Sequence, residues 1–209
     1  KHSLLSHGAV ALIAAVLTAA VTTNMTGWPG QASAQTAGTV PLLSQALPDL
    51  PGREVRITLL DRGPGDISAP HRHPGHHTFG YVVEGSSHHR DSLGNDVEVP
   101  AGAVQRMSAG RGISHTEGNT STIPNRYLQL WIRPNQQDVE PRWSWHQFDR
   151  KHKLNCFCDI TAKLPIYADA RFLAGIFTRR FCYELDAERA YYAYVITGTG
   201  QFNQTQFDA

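Results

Sequence analysis

Neither sign of charge predominates in this chain, because 19 Lys and Arg stand against 18 Asp and Glu, for a formal net charge of +1. No basic run exceeds a few positions, so the sequence lacks the electrostatic pattern of a nucleic-acid-binding protein. Cysteine is scarce as well: Cys156, Cys158 and Cys182 are an odd number, which excludes a closed disulfide framework. Two alternatives stay open: one disulfide from Cys182 to Cys156 or Cys158, or three ordinary thiols.

The chain also lacks an apolar run long enough for a transmembrane helix. The apolar stretch at residues 8–21 has 14 residues, too few to cross ~30 Å of hydrocarbon. It follows Lys1 and precedes Ala32-Ser33-Ala34, as in a secretory signal. We therefore expect residues 1–34 to be a signal peptide, with an uncleaved anchor as the alternative. The mature protein would then begin at Gln35, in the periplasm or outside the cell.

A convincing amphipathic helix is missing too, whereas 18 Gly and 12 Pro indicate frequent turns. Short stretches rich in Val, Ile, Leu, Phe and Tyr alternate with these turns, which predicts an all-β barrel or sandwich. The predicted strands are residues 55–60, 77–84, 88–91, 97–99, 104–107 and 127–132.

The pattern divides the chain into three parts after the predicted signal. We expect a metal-binding barrel at residues 35–134 and a polar, aromatic connector at 135–154. A second strand series occupies 155–209, with too few strands to close a barrel of its own. A complete second barrel would need roughly 60 further residues, given ordinary strand numbers and lengths.

Four side chains form the candidate metal site. His71 and His73 are two positions apart, and His115 and Glu117 repeat that spacing. Alternate side chains of a strand share a face, so two such pairs on neighbouring strands would converge inside a barrel. Three imidazoles and one carboxylate suit Fe(II), Mn(II), Ni(II) or Cu(II) with open positions.

Other histidines near this site are assigned different roles. His77 competes as a ligand, but alternation places it on the face of Phe79 and Tyr81, and we favour a pocket-wall position for it. His88 and His89 lie beside the predicted hairpin turn, and we expect them to be solvated.

Several segments resemble the pirin family. The stretches that carry this resemblance are Tyr81 to Gly85, His89 to Asn95, Val104 to Glu117, Leu128 to Ile132, Glu140-Pro141, Phe148 and Asp169 to Arg171. The resemblance as a whole extends over about residues 71–209. The lead-in at Pro70 to Gly80 resembles small exported single-domain cupins instead.

The resemblance implies a bicupin fold, that is, two jelly-roll barrels of the cupin (RmlC-like) type, of which the second is incomplete here. It implies one divalent transition metal at His71, His73, His115 and Glu117, with Fe(II) favoured over Mn, Ni, Cu or Zn. It further implies a dioxygenase that cleaves a flavonol such as quercetin with O2. Glu117 is then the candidate catalytic base as well as a ligand.

For this activity, Phe79, Tyr81 and Met107 are the candidate substrate-binding wall, with plain barrel core as their alternative role. The expected partners are a small aromatic substrate and O2, with no nucleic acid and no stable membrane span. Two other classes stay open: a non-catalytic metal-binding module of the regulatory pirin type, and a storage-like or isomerase cupin. Without a signal peptide, the resemblance implies a cytoplasmic location.

Overall fold

The structure is a computed structural model that describes residues 2–18, 38–46, 54–73, 75–186, 189–202 and 205–208. Within these ranges it is an all-β protein with one short 3-10 turn, Arg150–His152. None of the described helices is long and apolar enough to span a bilayer. The chain separates into two compact units, one of which comprises Thr22–Gln147 and Ile166–Ala168. The other comprises Lys1–Val21, Phe148–Pro165 and Asp169–Ala209.

Two sheets make up the unit around residues 22–147, here called the central unit. The strands are β2 Thr39–Ala46, β3 Glu54–Arg62, β4 His71–His73, β5 His77–Glu84, β6 Ser86–Asp91, β7 Asp96–Pro100, β8 Ala103–Ser108, β9 Ile113–Gly118, β10 Asn125–Ile132 and β11 Arg142–Gln147. They follow β1, His2–Thr18, which belongs to the other unit. The larger sheet has the order β11-β8-β5-β10-β3-β2, and the smaller one has the order β4-β9-β6-β7.

These strands confirm the predicted ones at residues 55–60, 77–84, 88–91, 97–99, 104–107 and 127–132. The β6–β7 hairpin turns at Ser92 to Asn95, where the Asp91 carboxylate accepts hydrogen bonds from the backbone N–H groups of Leu93 and Asn95. Gly94 takes a φ of +92° in this turn, which glycine adopts without steric cost. The stretch expected to be a connector contains β11, which pairs with β8 and extends the larger sheet.

An apolar cluster joins the two sheets. Leu60, Val82 and Tyr127 from the larger sheet are buried together with Val99 from the smaller one. Trp143 packs against the same cluster. Burying each such side chain contributes about 1.5–3 kcal/mol, so this cluster holds the sheets face to face. The face of the larger sheet that carries Tyr127 is called the inner face below.

The other unit contains a single six-stranded sheet. Its strands after β1 are β12 Phe157–Asp159, β13 Ala170–Phe177, β14 Phe181–Tyr183, β15 Arg189–Phe202 and β16 Thr205–Asp208. Strand β1 lies between β13 and β15 and also pairs with β14. Residues 2–18 of the predicted signal are therefore a central strand in this structure, as their Val, Ile and Leu content favours. The predicted cleavage site at Ala32-Ser33-Ala34 lies outside the described residues, and export stays a prediction.

Candidate metal centre

The two His/Glu pairs predicted from the sequence lie on adjacent strands. Strand β4 pairs with β9 so that His71 is directly opposite His115 and His73 is opposite Ile113. Directly opposed residues in antiparallel strands share a face, so the three imidazoles converge. Their ring centroids are 4.8 Å apart for His71 and His73, 4.5 Å for His71 and His115, and 4.9 Å for His73 and His115.

These three histidines, here called the outer triad, have the geometry of a cation site. One ligand nitrogen from each lies within 4.8 Å of the others. Nε2 of His73 and both ring nitrogens of His115 are buried and have no hydrogen-bond partner in the described part of the protein. His71 Nδ1 is hydrogen-bonded to the Ala69 carbonyl oxygen at 2.9 Å, which leaves its Nε2 for a ligand. Buried polar atoms are rarely left unpaired, so this arrangement fits a metal ion.

Burial keeps two imidazoles of the outer triad, those of His73 and His115, in the form that a metal needs. Burial, together with the neighbouring His115 and His71, lowers the pKa of His73 from 6.5 to about 3. Burial likewise lowers the pKa of His115 to about 3, reinforced by His71 and His89. Both rings are therefore neutral near pH 7, with lone pairs free to bind a cation.

Glu117 is the predicted fourth ligand, which stays a prediction, and in the structure it is part of a second candidate group. Its carboxylate clusters with His89 and His115, again with ligand atoms within 4.8 Å of one another. Glu117 Oε1 accepts hydrogen bonds from the Gln105 side-chain amide and, at 3.1 Å, from the Tyr127 hydroxyl. Arg62 Nη1 lies 3.9 Å from Oε2. These buried partners hold the carboxylate in one orientation between the sheets.

His89 is the site residue that the sequence prediction missed. We expected it to be solvated, but it is 1% exposed and stacks on Trp143 with ring centroids 4.3 Å apart. Strand alternation explains the difference, because Ser87 and His89 point inward whereas Arg90 is exposed. The sequence did contain a signal for His89: it is two positions from Asp91, so the two side chains share a face of the strand and can contact each other. His88, which points the other way, is half-exposed and pairs with Asp96 at 2.7 Å.

The predicted substrate-binding residues divide between the two faces of the larger sheet. Met107 is on the inner face with Gln105 and packs against Trp143. Phe79 is directly opposite Arg106, and Tyr81 is opposite Val104, so both lie on the other face. This placement corrects their predicted position at the wall of the site.

The aromatic wall beside the histidines comes instead from tryptophan. Trp131 is 4.7 Å from His73 between ring centroids, and it also contacts His76. Trp143 covers His89 and donates its indole N–H to Gln105 Oε1 at 2.8 Å. The alternation of Tyr127, Gln129 and Trp131 along β10 was the sequence signal for this wall.

His77 shares a face with Phe79 and Tyr81, as predicted. Because this face is opposite to that of Gln105, the predicted pocket-wall position of His77 is corrected together with theirs. Its Nε2 accepts a hydrogen bond from the backbone N–H of Tyr167 at 3.0 Å. It belongs to neither of the candidate metal groups found among the described residues.

Two facing antiparallel sheets with a His/Glu centre between them define a protein of the cupin class. The family model for Pirin matches residues 49–132. A quercetin 2,3-dioxygenase of Escherichia coli is 31% identical over 157 residues, which are 72% of this chain and 67% of that protein. A pirin-like protein of Caulobacter vibrioides is 34% identical over 149 residues, 67% of this chain and 64% of that protein. The chain belongs to the pirin family.

Coverage of the relatives is partial. The chain spans 58% of the length of a Zymomonas mobilis relative, to which it is 34% identical over 62% of its own residues. Among solved structures, it is similar to the bacterial pirin YhhW of Escherichia coli in complex with nickel(II). The identity is 33%, the TM-score is 0.45, and the match covers 53% of this chain and 51% of that one.

Proposed function

We propose that this chain binds one divalent transition metal between its two sheets and uses it to cleave a flavonol such as quercetin with O2. The observation that carries the proposal is the convergence of the His71, His73 and His115 imidazoles beside the oriented carboxylate of Glu117. The rings of His73 and His115 are buried and neutral and have unpartnered nitrogens. The name of the Escherichia coli relative supports the choice of reaction. Fe(II) is the metal we favour, ahead of Mn, Ni, Cu or Zn, since nitrogen and carboxylate ligands suit it.

A bound transition metal would supply Lewis-acid polarisation of the substrate oxygens and the redox chemistry with O2. The protein contributes the proton acceptor, for which Glu117 is the candidate. Its Oε1 is held by the Gln105 amide and the Tyr127 hydroxyl, so Glu117 is positioned to take a proton from a substrate hydroxyl. Burial of Glu117, which is 4% exposed, excludes the water that would otherwise compete for it.

The same inner face offers contacts to the rings of an aromatic substrate. Trp131 and Trp143 stand beside His73 and His89, and Met107 adds a polarisable thioether next to Trp143. Aromatic and Met side chains of this kind pack well against planar rings. Arg62, buried close to the Glu117 carboxylate, would balance negative charge at the site.

Oxygen uptake and quercetin bleaching by protein loaded separately with Fe, Mn, Ni or Cu would test the proposal. We expect turnover with at least one metal. At equal metal occupancy, Glu117→Gln should reduce the rate by about 10²–10⁴-fold, because it removes the proton acceptor but keeps the shape. Glu84→Gln, at an exposed position near the end of β5, is the matched control and should leave the rate unchanged.

Absence of turnover with every metal would contradict the dioxygenase proposal and favour a non-catalytic metal-binding module. A metal-loaded Glu117→Gln variant as fast as the parent would instead leave Glu117 as a ligand without a role in proton transfer. Metal content must be measured on each sample, since lost metal would otherwise pass for lost chemistry.

A further inference from the structure

The centre contains a second group of candidate metal ligands. We propose that His89, His115 and Glu117, here called the inner triad, form a cation position separate from the outer triad, with His89 as a metal ligand. This inference rests on the metal centre proposed above and concerns where within it an ion can lie. The two triads have only His115 in common.

Geometry brings the inner triad together in the smaller sheet. His89 on β6 is directly opposite Glu117 on β9, and Asp91 is opposite His115. His89 Nδ1 is 4.0 Å from Glu117 Oε1, too long for a hydrogen bond, and has no other partner among the described residues. An unpaired nitrogen on a ring that is 1% exposed is costly unless something binds it. A cation between His89 and Glu117 satisfies both groups.

Asp91 prepares His89 for this role. The other ring nitrogen of His89, Nε2, is hydrogen-bonded to Asp91 Oδ2 at 2.9 Å. An ionised carboxylate can only accept, so Nε2 carries a proton, and in the neutral ring Nδ1 then presents its lone pair toward Glu117. Asp91 is itself held by the Asn95 side-chain amide and the Leu93 N–H. Carboxylate–His pairs of this kind orient histidines that ligate metals.

The plane of the His89 ring is fixed as well. Trp143 stacks on it with an angle of 6° between the rings. The Trp143 indole N–H is bonded to Gln105, which in turn donates to Glu117. Two ligands of the inner triad are therefore held in place by one connected set of hydrogen bonds and ring contacts.

The two positions differ in their chemistry. The outer triad offers three imidazoles, whereas the inner triad offers two imidazoles and one carboxylate, a combination that suits non-haem Fe(II) with open positions. Because His115 is shared, we expect one ion per chain at a time. The outer position would be favoured by Cu(II), which prefers nitrogen, and the inner position by an ion that also accepts a carboxylate oxygen.

Copper(II) binding to variants separates the two positions. His71→Ala/His73→Ala removes the outer triad, and this variant should still bind about one Cu(II) per chain, with an electron paramagnetic resonance spectrum showing no more than two imidazole nitrogens. Adding Asp91→Asn should lower its affinity by about 10–100-fold, as for other partners of ligating histidines. Adding His89→Ala should lower it at least as much.

His88→Ala in the same double-variant background is the matched control, because His88 is the neighbouring histidine and pairs with Asp96 on the other side of β6. It should leave Cu(II) affinity unchanged. Trp143 fluorescence gives an independent readout, since Cu(II) at His89 should quench the indole stacked on it.

A folded double variant that binds no Cu(II), or one whose affinity does not change with His89→Ala, would overturn the inner position. If the double variant does not fold, His71→Gln/His73→Gln, which keeps more of the side-chain volume, takes its place in the same Cu(II) assay, and the same two results overturn the inference. Failure of the parent protein to bind any metal would overturn the whole metal centre. This result is distinguishable from the loss of the inner position alone.

Discussion

The buried His77 predicts a specific dependence of stability on pH. Burial, together with the charges of Arg106 and Arg142, lowers the pKa of His77 from 6.5 to about 4. Its Nε2 accepts the Tyr167 N–H, so the folded state holds the ring neutral. As pH falls below 6.5, the unfolded chain binds a proton that the folded state does not. Stability is therefore lost from pH 6.5 down to about 4 and levels off below that.

The size of this effect follows from the two pKa values. Each pKa unit corresponds to ~1.36 kcal/mol, so the shift from 6.5 to about 4 contributes about 3 kcal/mol to the free energy of unfolding. About 2 kcal/mol of this contribution is lost by pH 5. His77→Gln keeps an acceptor for the Tyr167 N–H but cannot be protonated. Between pH 7.5 and pH 5, the free energy of unfolding should therefore fall by about 2 kcal/mol less in the variant than in the parent.

Urea unfolding followed by tryptophan fluorescence measures this difference, because Trp131, Trp143 and Trp145 lie on strands of the central unit, which also contains His77. A chelator should be present so that metal release does not add to the pH dependence. His146→Gln, at an exposed position on β11, is the control and should follow the parent. If His77→Gln lost as much stability as the parent over this pH range, the assignment of His77 as a buried neutral base would be refuted.

Two further predictions concern packing and export. A Cβ at Gly80 would overlap the phenol ring of Tyr127, so Gly80→Ala should destabilise the central unit by about 1–3 kcal/mol. It should also weaken metal binding by displacing the Tyr127 hydroxyl from Glu117. Gly94→Asn, in the β6–β7 turn, should leave metal binding unchanged. In an exporting host, cleavage after Ala34 should give a protein that begins at Gln35, and N-terminal sequencing that finds Lys1 on soluble protein would contradict the signal peptide.

The sequence alone determined those features that depend on neighbouring residues. Strand positions in the central unit follow from β-branched and aromatic runs between Gly-rich and Pro-containing turns, and the structure confirms them. The spacing of His71 with His73, and of His115 with Glu117, places each pair on one face of its strand whatever the fold, because side-chain alternation is local.

Tertiary pairing decided which of these faces meet. Alternation puts Phe79 and Tyr81 on a common face of β5, but only the pairing of β5 with β8 shows that this face is opposite to that of Gln105. In the same way, His89 joins the centre because β6 pairs with β9 in a register that sets it opposite Glu117. A strand's own sequence fixes the relative orientation of its side chains, whereas contacts among residues distant along the chain determine which side is buried around the metal site.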